Sequence, residues 1–130
     1  MADIHVKRQQ GNSETVSKGM RSSAGILGLG KLISFIATEY KPEKIILFGS
    51  YASQIKDKNS DIDLIIIKRS NKRFVDRVVE LLQLIGSRFG LEFPVEPFVY
   101  TPSEFRRAKK TNSIFIRTVL SKGIVLYEKE

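Results

Sequence analysis

The 130-residue chain has no cysteine and a single histidine, His5, which lies in a polar stretch near its start. The first absence excludes disulfides and thiolate metal sites, and it fits a cytoplasmic protein. The second argues against a histidine-based triad and against a zinc centre. No apolar run of the length needed to cross a bilayer occurs, so no membrane span is expected. The opening MADIHVKRQQ lacks the apolar segment of a secretory signal. Any catalysis must therefore come from carboxylates, hydroxyls, lysines or a hard metal ion. Acids are themselves scarce: 14 Asp and Glu stand against 22 Lys and Arg, a formal net charge of +8. Such an excess favours anionic partners, whether nucleotide, nucleic acid or acidic protein. No dense basic block supports nucleic-acid binding by itself, so that reading stays an alternative.

What is present suffices for one domain, with 42% hydrophobic residues. Residues 1–24 are polar and without period, and read as a flexible tail; Met20 offers a second start of translation. Residues 25–130 form the expected single domain. Leu29, Leu32, Ile33, Ile36 and Tyr40 recur at helical spacing, and Pro42 closes that helix. "KIILFGS" reads as a buried strand stopping at a glycine, "YASQI" as a short helix, and "IDLIIIK" as a second strand. A long helix follows, with Asn71 as its expected cap and Gly90 as its stop. Its apolar face is expected to hold Phe74, Val78, Leu81, Leu82, Ile85 and Phe89, with Arg77 on the polar side. "VEPFVY" predicts a third strand, placed at an edge or a bulge by Pro97. Thr101, Pro102 and Glu104 together spell a helix start. Asn112 or Ser113 opens a last helix, Gly123 ends it, and "IVLY" predicts a fourth strand. The pattern is that of a small α/β or α+β domain: a mixed sheet of about four strands backed by helices.

"GILGLGKL" almost spells a phosphate-binding loop. Leu32 stands where such a loop needs Ser or Thr, and no strand precedes it. A glycine-rich entry to the first helix explains it better. The sharper feature is "SDIDLIII". Asp61 and Asp63 fall on one side of a strand, where two like charges repel unless a cation lies between them. Ten residues earlier, Gly49 permits a tight turn, and Ser50 offers a hydroxyl beside free backbone N–H groups suited to phosphate. Magnesium takes one or two carboxylates and fills its shell with water and substrate phosphates. Both halves of one site are thus present on successive strands.

"GSYASQIKDKNSDIDL", residues 49–64, resembles the Gly-Ser, ten residues, Asp-x-Asp signature of the minimal nucleotidyltransferase (MNT) domains of the polymerase-beta-like superfamily. The likeness extends from about residue 29 to the C-terminus, including "VEPFVYTPSEF" and "IRTVLSKGIVLYE". It implies that fold, a mixed sheet with helices packed mainly on one face, and transfer of a nucleoside monophosphate, AMP from ATP above all, to a hydroxyl. It also implies two Mg2+ ions, or Mn2+ in their place, bound by Asp61, Asp63 and a third acid. Glu96 is the candidate for that acid, with Glu92 and Glu104 behind it. Gly49 and Ser50 would grip the phosphates. Lys56 or Lys58 would replace the arginine that the family often carries where Ser53 and Gln54 stand here. Tyr51 is a candidate for stacking on the base, although helix packing accounts for it better. Arg106, Arg107, Lys109 and Lys110 read as a solvated helix face, and Phe98, Phe105 and Phe115 as core. Stand-alone domains of this kind resemble the antitoxin of a toxin–antitoxin pair whose partner is a helical HEPN protein. The expected acceptor is therefore such a partner, or a second copy of this chain. The alternative is an impaired module that binds nucleotide or a protein without turnover.

Overall fold

The computed structural model describes residues 28–49, 61–111 and 113–130. The tail at 1–24, the short helix expected at "YASQI", and Ser50, Tyr51, Lys56 and Lys58 lie outside them. Four helices and four strands follow one another among the described residues: α1 (Leu29–Glu39), β1 (Lys44–Phe48), β2 (Ile62–Ile67), α2 (Phe74–Phe89), β3 (Val95–Tyr100), α3 (Pro102–Thr111), α4 (Ile114–Lys122) and β4 (Ile124–Glu128). The sheet order is β3-β2-β1-β4. β1 runs antiparallel to β2 and β4, whereas β2 and β3 are parallel. The expected mixed α+β sheet is present.

Alternation along the strands divides two cores. Ile45 and Leu47 of β1, with Ile62, Leu64 and Ile66 of β2, face the larger one, built against Leu32 and Ile36 of α1 and Leu81 and Ile85 of α2. Ile46, Ile65 and Ile67 face the other way, onto Phe105 of α3 and Ile116 and Val119 of α4. The two longest helices thus cover one face, and the two short helices complete the opposite face. β2 is a continuous apolar run because it is buried on both sides. Gly30 and Lys31 of the near phosphate loop lie inside α1.

Several local signals act as expected. Thr101 and Glu104 form a reciprocal capping box: Glu104 N–H donates to Thr101 Oγ1 at 3.1 Å, and Thr101 N–H donates to Glu104 Oε1 at 3.0 Å. Ser113, rather than Asn112, caps α4 through a bond from Ile116 N–H at 3.1 Å. Gly90 ends α2 with φ 61°. Pro97 sits on the edge strand. Ile62 N–H donates to Pro94 C=O and Lys68 N–H donates to Tyr100 C=O, so Val95, Pro97 and Val99 turn their backbone groups outward. Proline costs no ladder bond there.

Three expectations for α2 are corrected. Its N-terminal flanking residue is Arg73, not Asn71, and no side chain caps it. Arg77, expected on the polar side, is 2% exposed and is the buried charged residue of the described core. Its guanidinium donates to Val99 O at 2.6 Å, to Lys72 O at 3.0 Å and to both Glu104 carboxylate oxygens at 2.8 and 2.9 Å. Burial is tolerated because its donors find good acceptors. Phe74 and Leu82, expected in the core, are instead 38% and 40% exposed.

Candidate functional site

The site is built at the ends of β1 and β2, where the chain leaves and re-enters the sheet. Gly49 follows β1 with φ 75°, a left-handed conformation that glycine adopts at little cost. A Cβ built there would run into the Asp63 carboxylate, which would have to shift to admit it, and the backbone conformation itself disfavours a side chain. The Gly49 backbone and the Asp63 side chain are therefore close neighbours.

Asp63 lies opposite Phe48 on β1 and opposite Glu96 on β3. The parallel pairing of β2 with β3 places the two acids side by side, close enough for their carboxyl groups to hydrogen-bond. Burial above all, then the Glu96 charge and hydrogen bond, and last the Asp61 charge, together push the Asp63 carboxyl up to about 6. An apolar floor accounts for the burial. Phe48 packs against Phe98 and Phe115, with ring centroids 5.9 and 5.5 Å away, and Phe98 and Phe115 stand 5.5 Å apart. Phe98 packs on the smaller core as expected, whereas Phe115, expected in the core, is 39% exposed and meets the rings of Phe48 and Phe98. The contribution of Phe48 was missed from sequence. Its position directly before Gly49 was the available signal.

Asp61 stands exposed just before β2 and is the weakest contributor to the Asp63 shift. Among the described residues, no three acidic side chains stand together as a ready cation cage. Asp63 and Glu96 form a pair, and Asp61 is at its mouth. The two fallback acids are elsewhere: Glu104 is taken by Arg77 and the α3 cap, and Glu92 lies exposed in the turn before β3. The donors fit magnesium in chemistry, since they are hard carboxylate oxygens. They also fit in need, since the pair is held together at a cost that a cation between them would remove.

A domain of this topology, with a positive-φ glycine set against an Asp-x-Asp strand, is that of a nucleotidyl-transfer fold. Residues 30–130 match the family model described as "Polymerase beta, Nucleotidyltransferase", and the chain belongs to that family. It is 36% identical over 85 residues to a Methanocaldococcus jannaschii protein named as a proposed protein adenylyltransferase, covering 65% of this chain and 78% of that one. Its fold is also that of a chain in the crystal structure of a toxin–antitoxin with AMP-PNP. The TM-score is 0.55 at 24% identity, over 78% of this chain and 73% of that one. Among the described residues, no helix is long and apolar enough to cross a membrane.

Proposed function

We propose that this protein is a magnesium-dependent nucleotidyltransferase that moves AMP from ATP to a hydroxyl on a partner protein. The observation that carries the reading is the register pair Asp63–Glu96, two acids side by side in the sheet next to a glycine whose positive φ disfavours a side chain. Asp61, Asp63 and Glu96 would hold the metal ions, which neutralise charge on the transferring phosphoryl group when bound. The Gly49 backbone would hold the outgoing phosphates, with Ser50 beside it. Tyr51, Lys56 and Lys58 are the further candidates for nucleotide contact. Glu96 would accept the proton of the attacking hydroxyl. The acceptor oxygen then bonds to the α-phosphorus, the bond to the β-phosphate oxygen breaks, and pyrophosphate leaves. The name of the archaeal relative supports a protein acceptor, and the toxin–antitoxin neighbour supports a two-protein system; a HEPN-type toxin is the partner that the resemblance to stand-alone domains suggests.

The second reading, a nucleotide-binding module without turnover, draws on the separation of Asp61 from the Asp63–Glu96 pair and on Ser53 and Gln54. One experiment decides between them. The protein is incubated with magnesium, each α-labelled triphosphate and the product of the adjacent gene. Transfer of label from ATP, lost in Asp61→Ala and Asp63→Ala, is the expected result. Binding of ATP without transfer would favour the module, and equal labelling by wild type and both variants would sink the transferase reading.

A further inference from the structure

The end of the sheet remote from the carboxylate pair is basic. A cleft of about 570 Å3 opens there, between the start of β1, the end of β2, helix α3 and the end of β4 with the residues after it. Its floor is apolar, made by the buried Ile67 and Phe105 with Pro102. Five cations line it: Lys44, Arg69, Arg106, Lys109 and Lys129. Two of them are neutralised in place, Lys44 by Glu128 and Arg69 by Glu43. Arg106, Lys109 and Lys129 have no ion pair among the described residues. Arg106 and Lys109 stand three apart on α3 and so share a face. The positive field extends past the cleft. Burial lowers the pKa of the Lys68 amine; Glu80 raises it, and Lys41, Lys129 and Lys72 lower it again.

Such a surface attracts an anionic partner and steers its approach. Its composition selects among anions. Glu43, Glu128 and Glu130 stand among the cations, where they repel a continuous chain of phosphates. The ring in the cleft, Phe105, is 7% exposed, which leaves no face on which a base can stack. Nucleic acid is disfavoured on both counts. A second copy of this chain is disfavoured by its net charge of +8. An acidic polypeptide meets the demands of the cleft. Its carboxylates pair with the three unpaired cations, and its amide N–H groups suit the glutamates between them. The position also suits the reaction. Lys44 and Ile67 are partners at one end of the β1–β2 ladder, and Phe48 and Asp63 are partners at the other. Ile67 lies four residues beyond Asp63, so both side chains point to the same face, about 13 Å apart along the strand. A partner that covers about 800 Å2, the ordinary size of a specific interface, spans that distance.

We infer that the basic cleft between α3 and the far end of the sheet docks an acidic segment of the acceptor protein, on the face that carries Asp63 and Glu96 but apart from the chemistry. The inference rests on the transfer reading above, since it takes the acceptor to be a protein. Docking at the cleft sets the affinity for the acceptor and leaves the chemical step to the carboxylate end.

The test uses the full chain and two readouts. R106E/K109E is compared with K31E/R88E, which changes the net charge equally at exposed positions of α1 and α2, on the opposite face. R106Q/K109Q provides a milder change should the reversal disturb the fold. The first readout is fluorescence anisotropy of a labelled peptide rich in Glu and Ala, at about 0.15 M salt, where charges more than about 8 Å apart are screened. Affinity should fall at least about tenfold in R106E/K109E and at most about twofold in K31E/R88E. The second is label transfer from α-labelled ATP to the product of the adjacent gene, with magnesium. The KM for that acceptor should rise about tenfold in the cleft variant, with kcat within about twofold of wild type. Equal peptide affinities in the two charge-reversed variants would overturn the inference. So would tighter binding of a uridine oligonucleotide of matching charge, or a fall in kcat with KM unchanged. Cleft-dependent peptide binding without label transfer by wild type would count against the transferase reading itself.

Discussion

At the scale of single residues, the site stores electrostatic discomfort. Asp63 keeps its proton up to about pH 6 in the folded chain, against an ordinary 3.8. Its contribution to stability is complete below the lower value and disappears as pH rises through the higher one. In metal-free buffer, chemical unfolding should therefore show stability falling between about pH 4 and 6 and levelling above. Asp63→Asn should remove that slope and be at least as stable as wild type at pH 7. Magnesium should stabilise wild type at pH 7 and do little for the variant. A strong loss of stability in metal-free Asp63→Asn would mean that the acid is structural. Gly49→Ala tests the other half. Its Cβ enters the space of the Asp63 carboxylate, and its φ of 75° disfavours any side chain. A cost of at least about 1 kcal/mol is expected from the backbone alone, with weakened ATP binding measured by calorimetry.

At the scale of elements, Arg77 joins the first turn of α2, the edge strand β3 and the start of α3. Arg77→Met should cost about 3 kcal/mol by denaturant unfolding, since it strands a carbonyl and half-frees Glu104. Glu104→Gln should cost less, because it keeps an acceptor for the guanidinium and for the cap. Equal costs would mean that the ion pair, rather than the Val99 carbonyl, carries the clamp. Much of this layer was legible beforehand. Glycines, Thr101 and Ser113 punctuate it by local chemistry, and β1 and β2 declare themselves by apolar runs too short for helices. α2 was misread because apolar residues occupy more than one of its faces, so its pattern does not say which stripe is buried. Arg77 was hidden for a related reason. Only the tertiary meeting of β3 and α3 supplies its acceptors. Glu96 could be nominated by position, but its place beside Asp63 depends on the parallel register, which no local signal encodes.

At the scale of the whole molecule, the family and the sheet order set what can be exchanged and what cannot. β1 and β2 are central and β3 is an edge. Asp63 therefore belongs to the interior of the sheet, while Glu96 is carried on its rim. Opening free energies rise from the periphery of a fold to its centre. Amides of Phe98 and Tyr100, which face the β2 ladder, should exchange with deuterium at least about tenfold faster than those of Ile45 and Leu47. Similar rates would mean that the Arg77 clamp binds the rim as firmly as the core. The proposed reaction centre is thus shared between parts of unequal durability. As the protein is warmed, the strand bearing Glu96 is the first to let go, and activity should fade while the larger core is still folded.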